Sequence, residues 1–305
     1  MGKGFYRLLV LLVLLISGCT AGRSYPRVRL SEIPPLPTPT GTSESRPLRV
    51  AIAAVISPQS TVEEYLPFLD YLGRRLGRPV ELLQRRTYAE VNALVRDREV
   101  DLALVCTGAY IRGHRDFGME LLAVPQVQGE TVYYSYIIVP AASPAHTLAD
   151  LRGKSFAFTD PLSNSGRLMA LYMLRQMGEE PGLFFGRTIY TYSHDNSIRA
   201  VADGLVDGAA VDSLVYTYLL SRHPELASRV RVIARSEPCA MPPVVVHPEL
   251  AAEQKALLQN ILLTMHQDEE GRAALARLGI DRFVVLDDRA YDSVRRALEQ
   301  VEQVP

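Results

Sequence analysis

The clearest chemical signature in the sequence is a turn of small polar residues that follows a short apolar run. Residues 156–158 resemble the end of a strand, and Ser163, Asn164, Ser165 and Gly166 stand just before a helical pattern. A helix that begins here presents free N–H groups and the positive end of its dipole, which favour a bound anion. The turn therefore predicts an anion site, with an ordinary helix N-cap as the alternative, because Ser and Asn are usual capping residues.

Two further polar residues stand downstream at comparable places. His194 precedes a helical pattern over 196–202, and Asp212 follows the apolar run 206–211. A carboxylate beside an anion is repulsive unless a proton lies between them. Asp212 at the site would therefore select a protonated oxyanion, such as phosphate or phosphite, over sulfate. A helix cap at Asp212 and a satisfied buried histidine at His194 are the alternatives.

The same residue types could also form the triad of a hydrolase. Ser163 or Ser165 with His194 and Asp212 would supply a nucleophile, a base and an acid. The chain has no Gly-x-Ser-x-Gly turn, however, and the order Ser, His, Asp matches none of the familiar chain orders. We therefore expect a binding protein and not an enzyme.

Strand-like and helical runs alternate along the chain, which predicts an α/β fold with mainly parallel sheets flanked by helices. The segment from Tyr88 to Cys106 aligns without a gap on the segment from His194 to Asp212. In both copies a strand ends where a helix begins, which is the edge at which open parallel sheets bind ligands. Two such edges facing each other predict two lobes with a ligand cleft between them.

The N-terminus has the pattern of an export signal. Lys3 and Arg7 precede an apolar stretch over 8–16, and Ile-Ser-Gly-Cys19 resembles a bacterial lipobox. We expect a signal peptide over 1–18, lipidation of Cys19 and a proline-rich tether over 19–47. The protein would then be held by its lipid anchor at the extracytoplasmic, or periplasmic, face of a membrane in the cell envelope.

Composition narrows the possible partners and cofactors. The chain has 33 basic and 34 acidic residues and no basic run, so we expect no nucleic acid partner. Besides Cys19, only Cys106 and Cys239 remain, which fits neither a zinc site nor a disulfide framework. They could pair or be buried separately, and we expect no metal and no cofactor.

A turn and five further segments, in the same order along the chain, resemble the phosphonate- and phosphite-binding proteins of ABC importers. The Ser-Asn-Ser-Gly turn is similar to their Ser-Thr-Ser-Gly turn, and Tyr-Ser-His194 is similar to their Gly-Ser-His motif. Three of the others are strands: the one after Asp101, the one from Tyr133 and the Val-Asp-Gly-Ala strand from Val206. The last is the Leu-Ala-Asp-Leu-Arg-Gly-Lys segment that ends at Lys154. The resemblance covers nearly all of the chain beyond the tether.

This resemblance implies a two-lobed periplasmic-binding-protein fold of type II. Lobe 1 would comprise 48–137 plus 237–305 and lobe 2 would comprise 138–236, with crossings near 136–140 and 236–243. The ligand would bridge the lobes and drive hinge closure, and the partners would be an ABC permease and ATPase. The alternative is a lipoprotein that presents another oxyanion to a membrane sensor.

The resemblance also implies the ligand-binding residues, position by position. They are Tyr88 and Tyr133 from the first lobe and Ser163, Asn164, Ser165 and His194 from the second, with Asp212 beside them. Asn164 departs from the family's threonine. Leu214 and Pro242 stand where relatives that bind aminoalkyl phosphonates place acids around the amine, which favours phosphate, phosphite or methylphosphonate.

Overall fold

The computed structural model describes residues 46–302. Cys19, the predicted signal peptide and most of the predicted tether lie outside these residues. Within 46–302, no helix combines the length and apolar character that crossing a membrane requires. The two cysteines in this range, Cys106 and Cys239, are buried free thiols.

The described chain alternates short strands with helices. The strands are β1 (Leu48–Ile52), β2 (Val80–Gln84), β3 (Leu102–Leu104), β4 (Glu120–Gln126), β5 (Val132–Tyr133), β6 (Ser135–Pro140), β7 (Ser155–Phe158), β8 (Arg187–Tyr190), β9 (Gly208–Asp212), β10 (Val230–Arg235), β11 (Cys239–Ala240), β12 (Val244–Val246) and β13 (Arg282–Val284). The helices are α1 (Pro58–Leu76), α2 (Tyr88–Arg96), α3 (Thr107–Phe117), α4 (Met169–Gln176), α5 (Pro181–Phe184), α6 (His194–Ala202), α7 (Ser213–Arg222), α8 (Pro224–Ala227), α9 (Ala252–Thr264), α10 (Glu269–Arg277) and α11 (Asp292–Glu302).

The strands form two main sheets with the same internal plan. The first sheet has the order β13-β4-β12-β3-β1-β2 and the second has the order β10-β6-β9-β7-β8. In the first, β1 pairs in parallel with β2 and β3, and in the second β7 pairs in parallel with β8 and β9. This duplication confirms the predicted α/β fold with two lobes.

The sheets are mixed and not mainly parallel, which corrects one part of the sequence prediction. β12 runs antiparallel to β3, and β6 runs antiparallel to β9. Both strands follow directly on a crossing between the sheets. They therefore enter without the crossover helix that parallel pairing requires, and an antiparallel direction results.

A two-stranded ribbon joins the two sheets where the chain crosses between them. β5 pairs antiparallel with β11, with Tyr133 opposite Cys239 and Val132 opposite Ala240. The first crossing therefore lies between β4 and β6, ahead of the predicted 136–140, and β6 already belongs to the second sheet. The predicted long strand over 132–139 is thus divided into β5 and β6.

Apolar side chains on both faces of each sheet hold the helices in place. Phe68 and Leu72 of α1 pack with Leu262 of α9 on one face of the first sheet, and Val91 of α2 and Ala109 of α3 pack on the other. Leu171 and Leu174 of α4 and Ile198 of α6 cover the two faces of the second sheet. Each lobe is thus a three-layer arrangement whose strand ends meet helix N-termini.

The internal repeat predicted from the sequence has a structural counterpart. Tyr88 and His194 are the first residues of α2 and α6, and Cys106 and Asp212 are the N-cap residues of α3 and α7. α3 itself was not predicted from the sequence. The matching ends nevertheless bring both copies of the repeat to the cleft edge.

Candidate functional site

The predicted site residues all lie at strand ends or helix starts and are buried. Tyr88 begins α2, Tyr133 lies on the crossing strand β5, and Asp212 ends β9. The turn ahead of α4 and the start of α6 contribute the others. The exposed fraction is 3% or less at every predicted position, namely Tyr88, Tyr133, Ser163, Asn164, Ser165, His194 and Asp212.

Ser163 caps the helical segment that opens with Asn164. Its Oγ accepts a hydrogen bond from the Gly166 N–H at 2.9 Å, so the capping alternative is correct for this side chain. A Cβ on Gly166 would collide with the Thr159 side chain, so glycine is required here. The cap and the close packing against β7 hold the turn in one conformation.

Asn164 joins the turn to the first lobe. Its Nδ2 donates to the Tyr133 hydroxyl at 2.9 Å, and its backbone N–H donates to Cys106 Sγ at 3.4 Å. Burial raises the pKa of the Cys106 thiol to about 11, so the sulfur stays protonated at neutral pH. On the other side, the Ser135 hydroxyl donates to the Ser165 carbonyl at 2.6 Å.

Asp212 is both a helix cap and a buried acid. Its Oδ1 accepts from the N–H groups of Leu214 at 2.7 Å and Val215 at 3.3 Å. Burial raises its pKa to about 7, although the two N–H groups and the nearby Ser165 hydroxyl act to lower it. Near neutral pH, Asp212 is therefore divided between an acid that can donate a proton and a carboxylate that can accept one.

His194 is a neutral imidazole with a defined tautomer. Its Nδ1 accepts from the backbone N–H of Asp212 at 3.1 Å, which places the proton on Nε2. Burial lowers its pKa to about 3. Thr159 Oγ1 also lies 3.1 Å from Nδ1. Within residues 46–302, His194 makes no hydrogen bond to either turn serine, so the proton relay of a hydrolase triad is not formed.

Several buried polar atoms around the turn lack hydrogen-bond partners in the described part of the chain. They are the Tyr88 hydroxyl, Asn164 Oδ1, Ser165 Oγ and Ser193 Oγ. An unmade hydrogen bond at a buried group costs about 1–3 kcal/mol, so such atoms call for an explanation. Burial raises the pKa of Tyr88 well above its usual value, although the nearby Ser163 hydroxyl acts to lower it, and the Ser165 hydroxyl opposes the rise at Asp212 in the same way.

The Tyr88 hydroxyl comes from the first lobe and the other three atoms come from the second. The atoms of Tyr88, Asn164 and Ser165 form one cluster around Cys106 and Asp212. Ser193, beside His194, was not predicted as a site residue. The Tyr-Ser-His segment was the available signal, but only its histidine was predicted to bind the ligand. The sequence prediction otherwise identified the residues that carry the unpartnered atoms.

The lobes are held together beside the turn by a set of contacts that we call the clasp. Asp160 Oδ2 accepts from the Tyr88 N–H at 3.1 Å, and Asp195 Oδ1 accepts from the Ser57 N–H at 3.0 Å. The Val55 carbonyl accepts from the His194 N–H at 2.9 Å. These contacts join residues far apart in the chain, so no local pattern in the sequence predicts them.

Gly108 is a further element of the interface between the lobes. It lies in the first turn of α3, and a Cβ at this position would collide with the backbone oxygen of Leu162 and press on the Asn164 nitrogen. The first lobe can approach the turn this closely only because residue 108 has no side chain. Across residues 46–302, no cluster of three or more His, Cys, Asp or Glu residues could hold a metal ion.

Comparisons with known proteins agree with this architecture. Residues 50–291 match the family described as "ABC transporter, phosphonate, periplasmic substrate-binding protein". The phosphonates-binding periplasmic protein of Escherichia coli is 26% identical over 258 residues, which cover 83% of this chain and 76% of that protein. The phosphate-import protein PhnD of Mycolicibacterium smegmatis is 26% identical over 280 residues, covering 85% and 87%.

A solved structure gives the same result for the fold. The binding protein component of an ABC phosphonate transporter from Pseudomonas aeruginosa superimposes with a TM-score of 0.80 at 25% identity, covering 85% of this chain and 87% of that one. Members of this family are extracytoplasmic transport proteins and not enzymes, which excludes the hydrolase alternative. The chain belongs to the family of periplasmic substrate-binding proteins of ABC phosphonate transporters.

Proposed function

We propose that this protein binds a small phosphorus oxyanion in the cleft and delivers it to an ABC permease and ATPase. Phosphate, phosphite and methylphosphonate are the ligands that the cluster suits. The anion would contact residues of both lobes, namely Tyr88 and Tyr133 from one side and Ser163, Asn164, Ser165, His194 and Asp212 from the other. Binding would therefore favour the closed arrangement of the lobes.

The observation that carries this proposal is the set of unpartnered buried atoms. The hydroxyls of Tyr88 and Ser165 can donate to the oxygens of a bound anion, while Asn164 Oδ1 can accept from a P–OH group. A tetrahedral oxyanion that keeps one proton supplies both kinds of partner. In a protein that bound no ligand here, the same atoms would lower the free energy of unfolding without serving binding.

Asp212 extends the argument to the protonation state of the ligand. Among residues 46–302, its buried carboxyl accepts hydrogen bonds from backbone N–H groups and from no basic side chain, so a fully ionised dianion would face an uncompensated like charge. Phosphate, phosphite and methylphosphonate keep or readily regain a proton near neutral pH, whereas sulfate does not. The names of the Escherichia coli and Mycolicibacterium smegmatis relatives, which refer to phosphonates and phosphate, support this ligand class.

Hinge closure would take place about the β5–β11 ribbon, where both crossings lie side by side. The predicted lobes are 48–137 plus 237–305 and 138–236. Because β6 pairs with strands of the second sheet, we propose that the first boundary lies ahead of β6, so that 135–137 belong to the second lobe. α11 packs on α4 of the second lobe, and its Glu302 also pairs with Arg112 of the first. α11 would therefore contact both lobes in the closed arrangement.

The N-terminal segment would connect the binding protein to a membrane. Lipidation of Cys19 and a tether to residue 47 would let the folded part reach a permease while staying at the surface. Replacing Cys19 with Ser should move the protein from the membrane fraction to the soluble fraction of the cell envelope. Retention of the variant in the membrane fraction would contradict the anchor.

Calorimetric titration with phosphate, phosphite, methylphosphonate and sulfate tests the function. We expect at least one phosphorus oxyanion to bind about 100-fold more tightly than sulfate at pH 7. Ser165→Ala should weaken that binding about 10-fold or more, because it removes a hydrogen bond to a charged group. Ser228→Ala, at an exposed serine, is the matched control. Sulfate binding as tight as phosphite would contradict the role of Asp212, and a chain that binds none of these anions would refute the function.

A further inference from the structure

The two copies of the internal repeat make equivalent contacts across the clasp. Tyr88 and His194 occupy the same position of the repeat, and each is the first residue of its helix. The Tyr88 N–H donates to the Asp160 carboxylate, which lies just after β7 of the second lobe. The His194 N–H donates to the Val55 carbonyl, which lies just after β1 of the first lobe. Each helix start therefore meets the loop after the corresponding strand of the opposite lobe, and the clasp is approximately two-fold symmetric.

A further contact on the clasp side, which we call the axis contact, joins Arg86 and Tyr192. Each of these residues stands two positions before the first residue of its helix, so they too are equivalent in the repeat. The guanidinium carbon of Arg86 lies over the Tyr192 ring, 4.4 Å from the ring centroid, which is a cation–π contact. Where two equivalent residues contact each other, the symmetry axis that relates the two copies passes between them. Arg86 and Tyr192 therefore meet on the axis of the clasp.

The backbone of Tyr192 is held in a conformation that its side chain disfavours. Its φ angle is 61°, in the left-handed region that glycine adopts freely and that a bulky residue seldom enters. The Tyr192 N–H donates to the Thr159 carbonyl at 2.8 Å, and His194 follows two residues later. Conformations of this kind persist where the surrounding structure compensates for them, and they cluster at functional sites. The contact of the ring with Arg86 is a compensation that a glycine at this position could not supply.

The axis contact lies outside the anion site. Arg86 is exposed and Tyr192 is partly exposed, whereas the predicted ligand-binding residues are buried. Because the two residues belong to opposite lobes, their contact requires that the lobes be together. Elsewhere between the lobes, a cavity of about 480 Å³ is lined by apolar side chains such as Leu214 and Pro242. The lobes do not touch across that cavity, so contacts on the clasp side have a larger part in stabilising the closed arrangement.

We propose that Arg86 and Tyr192 are positioning residues that stabilise the closed arrangement and thereby slow the release of the bound oxyanion. The inference rests on the proposed oxyanion function and adds a determinant of its kinetics that lies away from the ligand. The anion reaches the open cleft before the axis contact forms, so the contact changes the dissociation rate and leaves the association rate nearly unchanged. A ring at position 192 therefore favours retention of the ligand.

Substitutions of Tyr192 test this role with methylphosphonate as the probe. Phosphorus-31 exchange NMR measures its dissociation rate, and calorimetry measures its dissociation constant. Tyr192→Gly should raise the dissociation rate about fivefold, because it removes the ring, and should change the association rate by less than about twofold. Tyr192→Phe keeps a ring and should retain the dissociation rate of the unmodified protein to within about twofold. The melting temperature of Tyr192→Gly should not fall, since glycine accepts the left-handed backbone.

A double-mutant cycle tests whether the two side chains act through their contact. Arg86→Met should raise the dissociation rate about as much as Tyr192→Gly, and the double variant should not exceed either single variant by more than about twofold. Arg152→Met is the matched control, because the Arg152 guanidinium lies over the Phe184 ring at 4.9 Å and both residues belong to the second lobe. This control loses the same charge and the same kind of contact, and its dissociation rate should equal that of the unmodified protein.

The outcomes separate this inference from the function on which it rests. Unchanged dissociation rates in Tyr192→Gly and Arg86→Met, while methylphosphonate still binds, overturn the positioning role and leave the oxyanion function intact. Effects that multiply in the double variant, to about 25-fold, show that the two residues act separately and overturn the role of their contact. A fall in melting temperature with no change in the dissociation rate assigns Tyr192 a structural role only. Failure of the unmodified protein to bind methylphosphonate, phosphite or phosphate overturns both proposals.

Discussion

The two sides of the cleft differ in the groups that face each other across it. On the clasp side, backbone N–H groups of the first lobe meet the carboxylates of Asp160 and Asp195, and Gly108 allows the backbones to touch. On the cavity side, apolar side chains such as Leu214 and Pro242 leave a space between the lobes. The comparison indicates that main-chain contacts join the lobes on the clasp side, while apolar side chains line an open space on the other side.

The small free energy of each contact in the clasp is consistent with the reversible closure of the lobes that we propose. Asp195 accepts from the N–H of Ser57, the N-cap residue of α1, and Asp160 accepts from the first N–H of α2. An acid at a helix N-terminus typically contributes about 0.3–1 kcal/mol, and opening would exchange these contacts for water. Such contacts guide the lobes into register without holding them shut, so the free energy of ligand binding can decide the state.

The largest effect on ligand affinity is expected from adding a single methyl group to Gly108, on the clasp side of the cleft. Gly108→Ala should weaken binding of methylphosphonate about 100-fold, because the new Cβ collides with the Leu162 carbonyl only when the lobes are closed. Small-angle scattering should show that the variant no longer contracts when ligand is added. Calorimetry measures the affinity.

The matched control for this change is Gly182→Ala. Gly182 has only the Glu180 side chain within reach of an added Cβ, at 3.9 Å, so its affinity and contraction should equal those of the unmodified protein. Full contraction of the Gly108→Ala protein with ligand would mean that the lobes do not need this close approach.

The pH dependence of protein stability tests whether burial in the folded protein raises the pKa of Asp212. Folding raises the pKa of Asp212 from an ordinary value of 3.8 to about 7, so the folded state binds its proton more tightly. Its contribution to stability is complete below about pH 4 and is lost as pH rises to about 7. Relative to Asp212→Asn, which retains a capping oxygen, the ligand-free protein should lose about 2 kcal/mol of unfolding free energy between pH 5 and pH 7.

Asp207 offers a control with the opposite sign. The hydroxyl and N–H of Ser155 lower its pKa, so its contribution to stability is present above the ordinary pKa and is lost at acid pH. Denaturant titrations that extend below pH 4 should therefore show a difference for Asp207→Asn that changes only below about pH 4, whereas the difference for Asp212→Asn changes between about pH 5 and pH 7. A pH-independent difference for Asp212→Asn would show that this carboxyl is not strained by burial.

The smallest expected effect combines two measurements on Tyr88. Tyr88→Phe should weaken oxyanion binding about 10-fold and stabilise the ligand-free protein by about 1 kcal/mol, because it removes a buried hydroxyl that has no partner. Tyr190→Phe, at a half-exposed tyrosine, should change neither quantity. Loss of both affinity and stability in Tyr88→Phe would indicate a packing role and not a ligand contact.

Local patterns carried most of the site prediction because the site is made of strand ends and helix starts. The turn of Ser163–Gly166 and the aligned positions of Tyr88 and His194 could be recognised from residue type and spacing. The caps at Ser163 and Asp212, which were the alternatives to ligand binding, are both present. A capping hydrogen bond does not prevent the same residue from contacting a ligand, so ligand binding at these residues stays a prediction.

The sequence did not reveal the features that depend on the two lobes meeting. Gly108, Asp160 and Asp195 acquire their roles from partners that are distant in the chain, and nothing near them in the sequence signals those partners. The antiparallel direction of β6 and β12 could not be predicted either, because a short apolar run does not indicate whether the strand pairs in parallel or antiparallel. The cavity is a product of the same long-range assembly.

A crystal structure with methylphosphonate bound tests the central claim most directly. We expect the phosphonate oxygens within hydrogen-bond distance of the Tyr88 hydroxyl, Ser165 Oγ and Asn164 Oδ1, with the methyl group directed past Asp212 toward Leu214. A phosphonate found elsewhere in the molecule, with these three atoms still unpartnered, would contradict the assignment of the oxyanion site.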